Sequence, residues 1–96
     1  METLTAVLDS ESALIDALWS ACEELTERYR KRINPLWFII NDDLSVEFNW
    51  NTVAWRHRRK EKEYVVTYGK EKYVITEEEL VELTRMVRVE YGKVVG

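Results

Sequence analysis

The hydrophobic period of this chain changes twice, and that alternation limits the fold more than any other feature. Leu14, Leu18, Cys22, Leu25 and Tyr29 recur at spacings of 4, 4, 3 and 4, with Ile15 beside them. Such spacing places one apolar face on a helix, and it predicts a helix from about residue 5 to Ile33. Asn34-Pro35 is the expected stop, because the residue before proline is pushed out of the α region. Leu36 to Ile40 is then a short, wholly apolar run that reads as a buried strand. Asn41-Asp42-Asp43 is turn chemistry. Beyond it Leu44, Val46, Phe48 and Trp50 alternate with polar residues, the period of two expected of a strand with one buried face. The alternation slips at Asn51-Thr52 and resumes out of phase with Val53, Trp55 and His57, which a bulge or a separate strand over 51–57 explains.

Tyr64–Tyr68 and Lys72–Thr76 bracket Gly69-Lys70-Glu71, a hairpin signal. The helical period returns at Leu80, Leu83, Val87 and Tyr91, preceded by Thr76-Glu77-Glu78-Glu79 with the spacing of a capping box. Gly92 is a natural stop. The expected fold class is therefore α+β: an N-terminal helix, an antiparallel meander of about four strands and a C-terminal helix, with both helices on one sheet face. Ninety-six residues suffice for one core and leave two marginal, so a single domain over 1–96 is expected.

Chemistry-bearing residues are scarce. One cysteine, Cys22, forbids an internal disulfide, and with one histidine, His57, it is too little for a structural zinc site. Cys22 lies on the apolar stripe and reads as a small hydrophobe. Asp42-Asp43 with Glu47 resembles a carboxylate cluster, but paired Asp in a turn serves the backbone. The three glycines, Gly69, Gly92 and Gly96, form no phosphate loop. No nucleophile or acidic orienter is marked beside His57. Neither an enzyme, a metal, a cofactor nor a small-molecule ligand is indicated; an enzyme of unrecognised type is the third reading. The N-terminus lacks a basic start and a long apolar run, and no stretch approaches a membrane helix, so an intracellular, cytoplasmic protein without a membrane partner is expected. The absence of Gln and the 33% charged residues lean toward a thermophilic source.

Charge carries the remaining signal. The net −4 hides seven acidic and no basic residues over 1–27, then basic clusters at Arg28, Arg30, Lys31, Arg32 and at Arg56, Arg58, Arg59, Lys60, Lys62. With Trp55 and His57 to stack on bases, these clusters are the candidate nucleic-acid site, and adjacent in space they would form one patch. The competing reading is a dipole-compensated helix end and a charged edge strand that resists unwanted pairing. Trp19, Trp55, Glu23, Glu27, Glu78 and Glu82 are the candidate protein interface, since acidic helices suit a basic partner and rim tryptophans anchor interfaces. Trp37 and Trp50 are expected in the core or on a sheet face. The leading expectation is a small non-enzymatic protein-binding module, homodimeric, and an accessory or inhibitory factor for a nucleic-acid-handling machine. Direct DNA or RNA binding is the alternative.

Overall fold

The computed structural model describes the backbone of residues 2–95 and the side chains of residues 11–94. The order is α1 (Glu2–Tyr29), a 3-10 turn (Pro35–Trp37), β1 (Phe38–Ile40), β2 (Val46–Phe48), β3 (Ala54–Arg58), β4 (Glu63–Tyr68), β5 (Glu71–Thr76) and α2 (Glu77–Val95). The class is α+β. Its strands fall into two antiparallel sheets, β1–β2 and β3–β4–β5.

Helix α1 stops at Tyr29, four residues before the expected end. Arg30 takes a left-handed conformation at φ 52°, a common way to close a helix. Thr26 then fastens the returning chain: its Oγ1 accepts from the Ile33 amide at 3.2 Å and donates to the Ile33 carbonyl at 3.3 Å. Burial of Ile33 holds that loop against the core. Arg30, Lys31 and Arg32 are consequently loop residues, and only Arg28 lies in the last turn.

Asn34 caps the following 3-10 turn, its Oδ1 accepting from the Leu36 amide at 2.9 Å. Leu36 and Trp37 therefore belong to this turn and the strand begins at Phe38. The turn drives Trp37 into the centre of the core, fully buried and 4.6 Å from the Tyr73 ring. The slip at 51–57 resolves into a turn followed by a separate strand. The Asn49 carbonyl accepts from the amides of Thr52 and Val53, both at 2.9 Å, and leaves Trp50 at the turn apex. Trp50 is 72% exposed, so its expected core or sheet-face position is corrected. The turn overrides the period-two pattern at its last residue.

Helix α2 begins in a complete capping box: the Thr76 amide donates to Glu79 Oε1 at 2.8 Å and the Glu79 amide to Thr76 Oγ1 at 3.0 Å. It runs antiparallel to α1, since Lys31 meets Glu79 and Arg28 meets Glu82. Ala13, Ala17 and Ala21 form a buried row of small side chains on α1 that admits a closely packed neighbour. Cys22 and Leu25 join Leu83, Met86 and Val87 of α2 in one cluster that continues through Trp37, Val66 and Ile75. An aromatic group links the two sheets: Phe48 lies 5.4 Å from Phe38, 5.5 Å from Trp55 and 5.3 Å from Tyr64.

Candidate interaction surfaces

The two basic clusters do not merge. Between them lie the first turns of α2, rich in glutamate by the sequence that caps the helix. Lys31 Nζ meets Glu79 at 2.8 Å and Arg28 meets Glu82 at 3.1 Å and Glu24 at 3.0 Å. On the other side His57 Nε2 lies 3.3 Å from Glu77, whose amide donates to the Lys62 carbonyl. Glu82 also pairs with Arg85, and these two arginines hold its carboxyl below the usual carboxylate range, Arg85 foremost. Arg28 and Lys31 are thus engaged in fastening α1 to α2, while Arg30 and Arg32 reach no carboxylate among the described residues.

His57 is similarly committed. Its ring stacks on Tyr64 at 4.5 Å and its nitrogen faces Glu77, the acidic neighbour that sequence distance conceals. The pair ties the end of β3 to the start of α2. Arg58 bridges Glu61 and Glu63 across the β3–β4 turn, both at 3.3 Å. Arg56, Arg59, Lys60 and Lys62 have no carboxylate within ion-pair distance among the described residues. Asp43 serves its own turn, accepting from the Ser45 amide at 2.9 Å and hydroxyl at 2.6 Å, and those bonds lower its pKa. Burial pushes the Cys22 thiol up to about 12, where it is neither nucleophile nor ligand at neutral pH. Among the described residues no three His, Cys, Asp or Glu side chains gather as a metal site.

Two surfaces remain open. One is a groove of about 360 Å³ between α1 and β1, lined by Leu14, Ile15, Leu18, Phe38, Ile39 and Ile40. Glu11 and Asp42 stand at its rim. Ile15 is 57% exposed, and Trp19, one turn further along the same helix stripe, is 52% exposed. Glu23 and Glu27 are exposed further along α1 and Glu78 on α2, whereas Glu82 is held within the helix pair. Sequence reasoning marked Trp19 but missed Ile39 and Ile40, whose place beside α1 depends on the chain reversal at 30–37. No protein-family model matches this chain, and neither a curated protein nor a solved structure does. The surfaces themselves therefore carry the functional reading. Among the described residues, no helix is long and apolar enough to cross a membrane.

The second surface is the outer face of β3–β4–β5. The core face of this sheet carries Val66 and Ile75, both buried. Strand alternation and register put Arg56, Val65 and Val74 in one row on the opposite face, and Ala54, Thr67 and Lys72 in the next. Trp55 belongs to the core face but stands on an edge strand, where its ring remains 49% exposed. Lys70 and Lys72 were not singled out from the sequence, and Trp50 was expected in the core or on a sheet face. The hairpin at Gly69-Lys70 was the signal that would have placed Lys72 opposite Thr67.

Proposed function

We propose that this protein is a small non-enzymatic binding module whose α1–β1 groove takes a basic, apolar-faced segment of a partner protein. The observation that supports this reading is the groove's composition, apolar walls with the exposed Ile15 and acidic residues at the rim, continued one turn along α1 by the exposed Trp19. Apolar surface of this kind drives association, and an acidic rim orients and accelerates the approach of a cationic partner. A basic partner segment is itself the kind of surface that nucleic-acid-handling proteins carry, which keeps the accessory-factor role as part of the proposal. Catalysis is not part of it: Cys22 is buried in the core, and His57 is held between the Tyr64 ring and Glu77.

A labelled 14-residue Leu/Lys amphipathic peptide serves as the probe, with intrinsic tryptophan fluorescence and anisotropy as readouts. Binding that weakens with salt, and at least 10-fold on Ile15→Lys or Trp19→Ala with unchanged circular-dichroism melts, supports the proposal. Equal binding by the wild-type and both variants overturns it. A second copy is the competing occupant, and it has the opposite salt signature. Two acidic α1 surfaces repel, so a homodimer through Trp19 would strengthen as salt screens them. Sedimentation showing salt-favoured dimers abolished by Trp19→Ala would replace the basic partner by self-association.

A further inference from the structure

The outer face of β3–β4–β5 combines cations, stacking surface and an open depression, none of which the groove on α1 uses. Arg56 and Lys72 stand on this face, with Arg59, Lys60 and Lys62 in the β3–β4 turn and Lys70 in the β4–β5 turn. Each of the six lacks a carboxylate partner among the described residues. The acids nearby are already engaged: Glu61 and Glu63 by Arg58, and Glu71 by the Tyr73 hydroxyl. Two shallow depressions, about 570 and 240 Å³, share Ala54, Trp55 and Thr67 and so form one continuous trough. Trp50 stands at one end, and Arg56 and Lys72 at the other.

The edge strand β3 also argues for an anionic occupant. Antiparallel pairing with a second β3 centred on His57 would set Arg56 opposite the Arg58 of the other copy, and like charges directly across strands are destabilising. A polyanion meets no such penalty. Among polyanions, the exposed Trp50 indole at the end of the cationic trough favours one that presents flat bases, because an acidic peptide makes no use of stacking. A duplex keeps its bases stacked internally, whereas a single strand offers them. We infer that the outer face of β3–β4–β5 binds single-stranded nucleic acid, with Arg56 and Lys72 on phosphates and Trp50 under a base.

The inference is independent of the α1 groove. It also separates the two basic clusters that the sequence grouped together, assigning the ligand to the sheet and leaving Arg28 and Lys31 as struts. The test is anisotropy of labelled dT20 and U20, with a 20-base-pair duplex and a polyglutamate 20-mer as competitors. Four neutralised phosphates, two on Arg56 and Lys72 and two on the lysines and arginine of the turns, predict a roughly 50-fold loss of affinity between 50 and 200 mM salt, and the Arg56→Ala/Lys72→Ala pair should reduce that loss to about 7-fold. Trp50→Ala should weaken binding at least 5-fold and reduce the tryptophan quenching on titration. Arg30→Asn, in the other cluster, should bind as the wild type does. No complex at 50 mM salt overturns the inference. So does competition by polyglutamate or duplex as strong as that by unlabelled dT20, or full affinity in Trp50→Ala. Loss of binding in Ile15→Lys would also overturn it, since that substitution lies in the groove.

Discussion

Glu79 illustrates how one side chain serves two elements. A single oxygen, Oε1, accepts from the Thr76 amide at 2.8 Å and from Lys31 Nζ at 2.8 Å, with Glu79 7% exposed. The first bond starts α2 and the second fastens to it the loop that follows α1. Glu79→Ala removes both and leaves the Lys31 ammonium beside a vacated, largely buried position. Loss of a cap costs about 1 kcal/mol and loss of a charged partner about 1–3 kcal/mol. Urea unfolding should therefore show Glu79→Ala destabilised by roughly 2–4 kcal/mol, with Glu79→Gln intermediate because its amide oxygen can still accept from Thr76. If Lys31→Ala proves fully neutral, the strut contributes nothing and the cap alone explains the effect.

At the scale of elements, most of what local chemistry writes was legible in the sequence, although α2 runs through Gly92, the expected stop, to Val95. Thr76-Glu77-Glu78-Glu79 announced the start of α2, and Gly69-Lys70 announced the β4–β5 turn, where Gly69 takes φ 63°. Gly69→Ala should cost about 1 kcal/mol in thermal or urea unfolding, from backbone conformation alone, since the added methyl group would project into open space. A loss several times larger would mean that the turn sets the strand register. The parts that distant contacts write were not legible. Helix α1 ends where Thr26 captures Ile33, and no glycine or asparagine marks the left-handed Arg30. Leu36-Trp37 has the composition of a strand, yet Asn34 and Pro35 wind it into a 3-10 turn. The candidate surfaces follow the same division. Trp19, Trp55 and Arg56 were visible as residues, while the groove needed β1 beside α1 and the trough needed the hairpin register to bring Lys72 near Arg56.

For the whole molecule, charge is distributed by layer: α1 and the start of α2 are acidic, and the outer sheet and its turns are basic. Where the layers meet, Arg28, Lys31 and His57 face Glu82, Glu79 and Glu77. Folding thereby makes stability depend on pH at both ends of the scale. Glu82 and Asp43 have pKa values lowered in the folded state, so the unfolded chain binds protons first as pH falls. Their stabilisation is present above the ordinary carboxylate range and is lost as pH drops through the lowered folded values. Cys22 acts in the opposite sense. Its thiol is raised from 9.0 to about 12 by burial, so above pH 9 the unfolded chain loses a proton that the folded chain keeps. Between those values stability falls by about 1.4 kcal/mol per pH unit from this residue alone. Urea midpoints measured from pH 2 to 11 should form a plateau near neutrality with two falling limbs. Glu82→Gln should flatten the acid limb, and Cys22→Ala should remove the part of the alkaline limb beginning near pH 9. Slopes, not plateau heights, decide the matter, because Cys22→Ala also removes core volume. An alkaline limb of unchanged slope in Cys22→Ala would show that the thiol ionises without unfolding, and that the core between α1 and α2 admits water.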